Sequence, residues 1–487
     1  MRRNRRAACA FHPSRSTLPP TRGKPVLFKL DASPVAAFDK PVRVGFVNND
    51  GLLAQTVTVN LEGTNQQTVP LVISPALAQG EYASSIEVRV CYDDPAECRS
   101  PVTGSPWRVP LKVSVKSGTN LTALAPIAGL SPWSTYNGNA TQNAYLPVSL
   151  DPARFSRRWN TTIAAAETGA PVADGGRVFV SRADSNGQWT LTATSEAHGE
   201  VLWRYDLGPQ TGAAAVAAGN GRVFVFSTGG TGGVLWTLDQ ASGRLLGKTN
   251  RVGSSEYRRA PTVVDDAVYL GETAGMSRID AATGLVQWEN RNLRWSSGYW
   301  TPAVDGGLAY TVQSNQLYAL NTNDGSIAFN VEDAQLAWND TAAKTVTVNG
   351  RLGIVKSRDR LVAYDLQTRT RKWVAETFTQ GQPVLAGDTV YSLGESGLVL
   401  EARAADTGVL QWKSGWLFAN TNLASGGHLI VTSNLAFVSS AQGTMAVDLA
   451  THKIVWSYPF GGELAISDRG VLYITPSSGT LAAINLR

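Results

Sequence analysis

The side chains able to do acid–base, nucleophilic or metal chemistry are few and scattered. Of 487 residues, 4 are His and 3 are Cys. His12 lies in a basic N-terminal stretch. His198 and His452 fall in equivalent turns of a repeating pattern, and His428 stands at the start of a strand-like run. An acid–base pair needs both groups within hydrogen-bond reach of a shared proton, and turns on the rims of two different repeats keep His198 from His452. The order of residues contains no Ser/His/Asp grouping, Gly-rich phosphate loop or His-x-x-His pair. Most carboxylates sit in turns such as Asp280-Ala281-Ala282-Thr283-Gly284, where the side chain serves the backbone. The expectation is therefore no catalytic set and no metal site.

Cys91 and Cys98 are the exception. They flank Tyr-Asp-Asp-Pro-Ala-Glu, a turn-rich stretch after the alternating run Ile86-Glu87-Val88-Arg89-Val90-Cys91. Two cysteines across a short loop read as a hairpin-closing disulfide and hence an oxidising compartment; two unpaired thiols are the alternative. A zinc site needs four ligands and only two are near.

Charge narrows the partners. The net +5 is uneven, because residues 1–24 carry seven Arg or Lys and no Asp or Glu. The remainder is close to neutral, so a broad nucleic-acid face is not expected. No run approaches the ~18 apolar residues of a membrane-spanning helix. The N-terminus has the charged start of a secretion signal without an apolar stretch after it.

Two patterns must position whatever chemistry exists. Residues 25–118 alternate apolar and polar with period two, as in Val42-Arg43-Val44-Gly45-Phe46 and Leu111-Lys112-Val113-Ser114-Val115, with turn residues at intervals of roughly ten. About seven such strands suit an immunoglobulin-like sandwich. From residue 155 the text repeats. The unit Pro261 to Tyr269 followed by Asp280-Ala281-Ala282-Thr283-Gly284 and Trp288 returns at Pro302 to Tyr310 and at Pro383 to Tyr391. Its closing position is held by Trp159, Trp203, Gly247, Trp288, Phe329, Trp373, Trp412 and Trp456, 39 to 44 residues apart. Four short strands per unit at that period indicate β-propeller blades. The last unit, from Glu463 to Arg487, lacks its final strand, and an orphan strand begins at Phe155. Joining them makes the eighth blade and closes the ring from both ends. The expected fold is all-β: a basic, disordered tail over 1–24, a sandwich over 25–118, a linker and lead-in segment over 119–154, and an eight-bladed propeller over 155–487.

The Ala-x-Asp-x-x-Thr-Gly-x-x-x-Trp run resembles the pyrroloquinoline-quinone-type repeat, over about 330 residues. Trp133-Ser134-Thr135-Tyr136-Asn137-Gly138-Asn139 resembles the segment that leads into such propellers. The stretch from Gly80 to Pro110 resembles an immunoglobulin-like module of bacterial secreted proteins. Eight-bladed relatives include quinoprotein alcohol dehydrogenases and the propeller lipoprotein of the outer-membrane β-barrel assembly machinery. The enzymes carry a vicinal Cys-Cys pair over the quinone, Ca²⁺ ligands and a catalytic Asp. Here all three cysteines lie at or before position 98, and units of 39 to 44 residues leave no room for the long insertions of the enzymes' pocket.

What remains is a face. The loops leading into the innermost strands of blades three to seven concentrate aromatic and Arg side chains: Tyr257, Arg258 and Arg259; Trp295, Tyr299 and Trp300; Trp338; Phe378; Trp416 and Phe418. The same loops of blades one and two, Glu167-Thr168-Gly169-Ala170 and Gln210-Thr211-Gly212-Ala213, are small and bland. Tyr, Trp and Arg are the anchors that interfaces favour, so Tyr257, Arg258, Arg259, Tyr299, Trp300, Trp338, Phe378 and Phe418 are candidate binding residues. The blade-closing Trp159, Trp203, Trp288, Phe329, Trp373, Trp412 and Trp456 are expected to be structural, and the Gly247 interface looser than the rest. The expected function is a cofactor-free protein- or peptide-binding scaffold in the periplasm or outside the cell. The alternatives are a dehydrogenase using pyrroloquinoline quinone (PQQ) with Ca²⁺, and a carbohydrate- or surface-binding adhesion module.

Overall fold

The computed structural model describes residues 9–13, 27–34, 40–53, 56–61, 67–74, 80–115, 120–163, 165–210, 215–229, 232–252, 260–272, 275–294, 300–334, 336, 344–357, 359–395, 399–418, 428–476 and 479–487. They are almost wholly strands and turns. The chain divides into two compact units. One is Met1–Thr119 with Phe418–Asn422 and Ile454–Pro459; the other is Asn120–Leu417, Leu423–Lys453 and Phe460–Arg487.

In the first unit, alternation produces one buried face per strand. Ile86, Val88 and Val90 are fully buried, while Glu87 and Arg89 point away and pair at 2.7 Å. Their strand, Gly80–Cys91, lies between Val42–Val47 and Trp107–Val115, and Val57–Leu61 completes the sheet. A second sheet joins Cys9–Pro13, Leu27–Pro34 and Gln67–Val72. Both sheets feed one core, in which Phe46 and Val88 meet Val69 and Leu71. The disordered tail expected over 1–24 is corrected at Cys9–Pro13, which pairs antiparallel with Leu27–Pro34. A short run of few charges can add to a sheet edge despite the arginines around it. Cys91 and Cys98 form a disulfide.

The second unit is a series of antiparallel sheets, each assembled from consecutive strands. In chain order they run over 167–209, 215–252, 262–290, 303–332, 346–376, 380–413 and 428–448. One further sheet joins Glu463–Ile466, Val471–Thr475 and Gly479–Asn485 to Ser156–Ile163, with Trp159 opposite Ala483. Residues from the two ends of the repeats thus share a sheet. Trp456, on Ile454–Tyr458, is buried and stacks with Tyr458.

The repeated tryptophans join each sheet to the next. Trp203 lies against Phe179 of its own sheet, and its Nε1 donates to Gln240 O in the following one at 3.1 Å. Trp159, Trp288 and Trp373 donate likewise to Glu196 O, Thr322 O and Ala405 O. Each indole covers the turn Gly three residues beyond its acceptor. A Cβ on Gly199, Gly243, Gly325 or Gly408 would fall 2.5–2.7 Å from the ring, and all four have positive φ, so only glycine serves there. In two sheets the turn residue is not glycine. Arg369 instead stacks its guanidinium over Phe329 at 5.1 Å, and His452 lies face to face with Trp412 at 4.0 Å. Gly247 provides no ring, and Thr249 Oγ1 reaches Gly284 O at 2.8 Å, as Thr161 Oγ1 reaches Gly199 O beside Trp159.

Candidate functional site

Antiparallel strands fix which loops share an end. Loops leading into innermost strands lie at one end of the sheets, and the Asp-x-x-Thr-Gly turns lie at the other. Phe378 and Trp416 occupy two successive loops of the first kind and are 69% and 56% exposed. Two neighbours in the same set are withdrawn from solvent. Trp300 is 2% exposed and Phe418 3%, which corrects their assignment to a binding surface. Trp300 sinks into a slot that Gly271 leaves open, where a Cβ would come within 2.5 Å of its ring. Tyr257, Arg258, Arg259, Tyr299, Trp338 and Trp295 lie outside the described residues.

The inner edges of the sheets are filled by the segment that precedes them. An innermost strand leaves one row of N–H and C=O groups unpaired, and buried backbone groups need partners. Ala173 N and Ala218 N, in the first two sheets, donate to Trp133 O and Ser134 O at 2.9 Å each. Thr135 Oγ1 donates to Pro261 O, ahead of the third, at 2.7 Å. After a turn closed by Ser134 N on Gly138 O, Ala140, Thr141 and Ala144 engage later sheets through their backbones. Their carbonyls accept from Val304 N, Val348 N and Val431 N at 2.7, 3.0 and 3.0 Å. The Asn143 amide acts as a peptide unit, accepting from Leu385 N at 3.0 Å and donating to Leu385 O at 2.7 Å. Gln142 Nε2 donates to Thr262 Oγ1 and Pro302 O. Tyr145–Leu146 then pairs in parallel with Val431 and Thr432, and Asn434 holds Leu150 through both its N–H and its C=O.

The turn of this segment meets a polar cluster. His428 and Glu463 are each the first residue of an innermost strand, in successive sheets, and His428 Nε2 lies 3.0 Å from Glu463 Oε1. The Tyr136 ring stands edge-on to His428, with centroids 6.3 Å apart. Burial pushes the Tyr136 hydroxyl well above the usual phenol range, and the nearby Glu463 charge adds to this, so Tyr136 is a neutral donor. Asn137 Nδ2, Trp133 Nε1 and Gln382 Oε1 are buried without a partner among the described residues and line the same small cavity. The sequence reading placed His428 only at a strand start and missed its pairing with Glu463. Repeat register could have found it, since both residues occupy one repeat position. Among the other histidines, His198 Nδ1 lies 3.8 Å from Glu200, both exposed. This cavity encloses ≈ 10 Å³, and a second, within the curve of the lead-in segment, ≈ 70 Å³.

The turn carboxylates hold the turns together. Asp280 Oδ1 accepts from the Thr283 hydroxyl and from the N–H groups of Ala282 and Thr283, and the hydroxyl and N–H of Thr283 hold its carboxyl below the ordinary range. Asp239, Asp324 and Asp448 are lowered first by the hydroxyls of Ser242, Ser326 and Thr451.

A family model described as outer membrane protein assembly factor BamB matches residues 141–290, 187–399 and 275–487, overlapping windows on the repeats. The chain belongs to this PQQ-like β-propeller family. BamB from Moraxella catarrhalis shares the fold at 16% identity, covering 68% of this chain and 99% of that one, with a TM-score of 0.55. A europium-containing methanol dehydrogenase matches at 13% identity, covering 73% and 98%, with a TM-score of 0.57. The quinohemoprotein alcohol dehydrogenase ADHIIG from Pseudomonas putida HK5 matches at 13%, covering 73% and 80%, with a TM-score of 0.56. No curated protein sequence matches the chain. At these identities the likeness is one of fold, and fold does not choose between scaffold and enzyme. No helix among the described residues is long and apolar enough to cross a membrane.

Proposed function

We propose that the chain is a non-enzymatic scaffold of the bacterial cell envelope, capturing a protein or peptide on one loop face of an eight-bladed, ring-closed propeller. An immunoglobulin-like sandwich over 25–118 precedes it. The observation that carries this reading is the exposure of Phe378 and Trp416 on successive loops of one face. Burying such a side chain returns about 1.5–3 kcal/mol, and aromatic anchors supply that gain at interfaces. The shared sheet of Ser156–Ile163 and Gly479–Asn485 supports ring closure. The family's description as an assembly factor supports an envelope location and a protein partner, and the disulfide agrees with an oxidising compartment.

The cysteine positions and the cavities lined by the lead-in segment speak against a quinone with Ca²⁺. No cysteine follows Cys98, and the two cavities along the lead-in segment enclose ≈ 70 and ≈ 10 Å³, against roughly 300–1,000 Å³ for small-molecule sites.

The test is site-specific photocrosslinking in intact cells from positions 378 and 416, with position 285 in a turn at the opposite end as control. Adducts to one envelope protein from the first two positions are expected, and pull-down of that protein by the full-length chain should be weakened in a Phe378→Ala/Trp416→Ala variant of unchanged melting temperature. Equal adducts from position 285, or capture unaffected by the double variant, would overturn the reading. So would a thermal shift with PQQ and Ca²⁺ accompanied by dye reduction with alcohols.

A further inference from the structure

We propose that the lead-in segment over 133–150 is an internal lock, coupling the innermost strands of sheets far apart in the chain into one cooperative unit. The proposal does not depend on what the loop face binds. Apart from the Gln142 amide, which reaches back to Thr262 and Pro302, its contacts follow the order of the sheets, and between Ala140 and Ala144 the segment engages four successive sheets in five residues. A stretch advancing so few residues per sheet has no slack, since an extended chain covers only about 3.3 Å per residue. If one contact lets go, the neighbouring carbonyls cannot stay in register with their donors.

The side chains make the lock specific. Gln142 is fully buried and Asn143 is 9% exposed, and the Asn143 amide both accepts from and donates to Leu385, 242 residues away in sequence. Removing that amide leaves the buried Leu385 N–H and C=O unpaired, the expensive way to lose a hydrogen bond. Purely local contacts would confine the damage to Leu385. A lock spreads it to every strand the segment holds.

Native-state hydrogen exchange on the full-length protein distinguishes the two. In Asn143→Ala, exchange at Ala218, Val304, Val348 and Val431 should rise together with that at Leu385, by about tenfold or more. Amides of Gly80–Cys91 in the other unit should keep their wild-type rates. If Asn143→Ala does not accumulate as folded protein, Asn143→Asp, which keeps the acceptor and loses the donor, should raise the same set of amides by a smaller common factor. In whichever variant folds, a rise confined to Leu385 with the other strapped amides at wild-type rates would overturn the proposal. A second readout is a double-mutant cycle between Asn143→Ala and Asn434→Ala, whose amide grips Leu150 in the same way. A lock predicts coupled effects on the unfolding midpoint, and additive effects would refute it.

Discussion

Gly247→Trp should stabilise the propeller, and the structure supplies the magnitude. Gly247 faces Thr237 as Trp203 faces Ala193, just before the same bulge. An ideal Cβ on Gly247 meets nothing within 4 Å. Opposite it, Gly284 keeps a positive φ of +72°, like the glycines beneath Trp159, Trp203, Trp288 and Trp373, although no ring among the described residues covers it. An introduced indole has a slot, a floor and an acceptor, the Ala281 carbonyl, placed like Gln240 O beneath Trp203. Burying about 150 Å² of indole at about 25 cal/mol per Å² is worth about 4 kcal/mol. Side-chain ordering costs about 1 kcal/mol, and compactness of the unfolded chain removes about a third of the rest. Removing glycine's excess backbone freedom adds about 0.5–1 kcal/mol. The net expectation is about 2.5–3 kcal/mol, or a rise of roughly 4 °C in melting temperature.

Urea unfolding with unchanged m-value measures it. Gly284→Ala makes the assay decisive. In the natural sequence the new Cβ meets only Thr249 Oγ1 at 3.0 Å, whereas in the Gly247→Trp background it collides with the introduced indole. Its cost should therefore grow by about 1 kcal/mol or more, within the usual range of ~0.5–3 kcal/mol for residues in contact. An unchanged or lower midpoint for Gly247→Trp, or additivity with Gly284→Ala, would refute the docking argument.

Other expectations follow from the same contacts. Trp373→Ala, which empties a buried site and orphans the Ala405 carbonyl, should cost about 3–5 kcal/mol by the same urea assay. Asp239, Asp280, Asp324 and Asp448 have depressed carboxyl pKa values. Their stabilisation is full above the unfolded value of about 3.9 and is lost as pH falls through the lower folded values. Thr283→Val should flatten that part of a stability–pH curve. Glu196 acts in the opposite sense. Burial raises its pKa despite the Ser467 hydroxyl and Arg469, so its contribution grows as pH falls from above the folded value toward about 4.3, and Glu196→Gln should abolish that gain. Reducing the Cys91/Cys98 disulfide, which spans a sequence separation of 7, should cost the first unit about 2–3 kcal/mol, read as faster proteolysis near residue 91.

The repeats were legible because nearly all of them encode their own turn and closing ring within about 42 residues, and four short strands at that period suit propeller blades. Alternation marked the strands of the first unit for the same local reason: Ile86, Val88 and Val90 went inside together. The disulfide was readable from seven residues of spacing. Loop aromatics were not sortable in this way. Phe378 and Trp300 look alike in sequence, but Trp300 found a slot that a glycine 29 positions earlier left open. The partners of the lead-in segment were hidden in another way. Asn143 and Leu385 are 242 residues apart, and Asn434 and Leu150 are 284 apart, with no motif announcing either pair. Period and alternation are local properties, written wherever backbone geometry repeats. Which polar side chain completes which strand edge is decided only when folding brings those edges around a common segment.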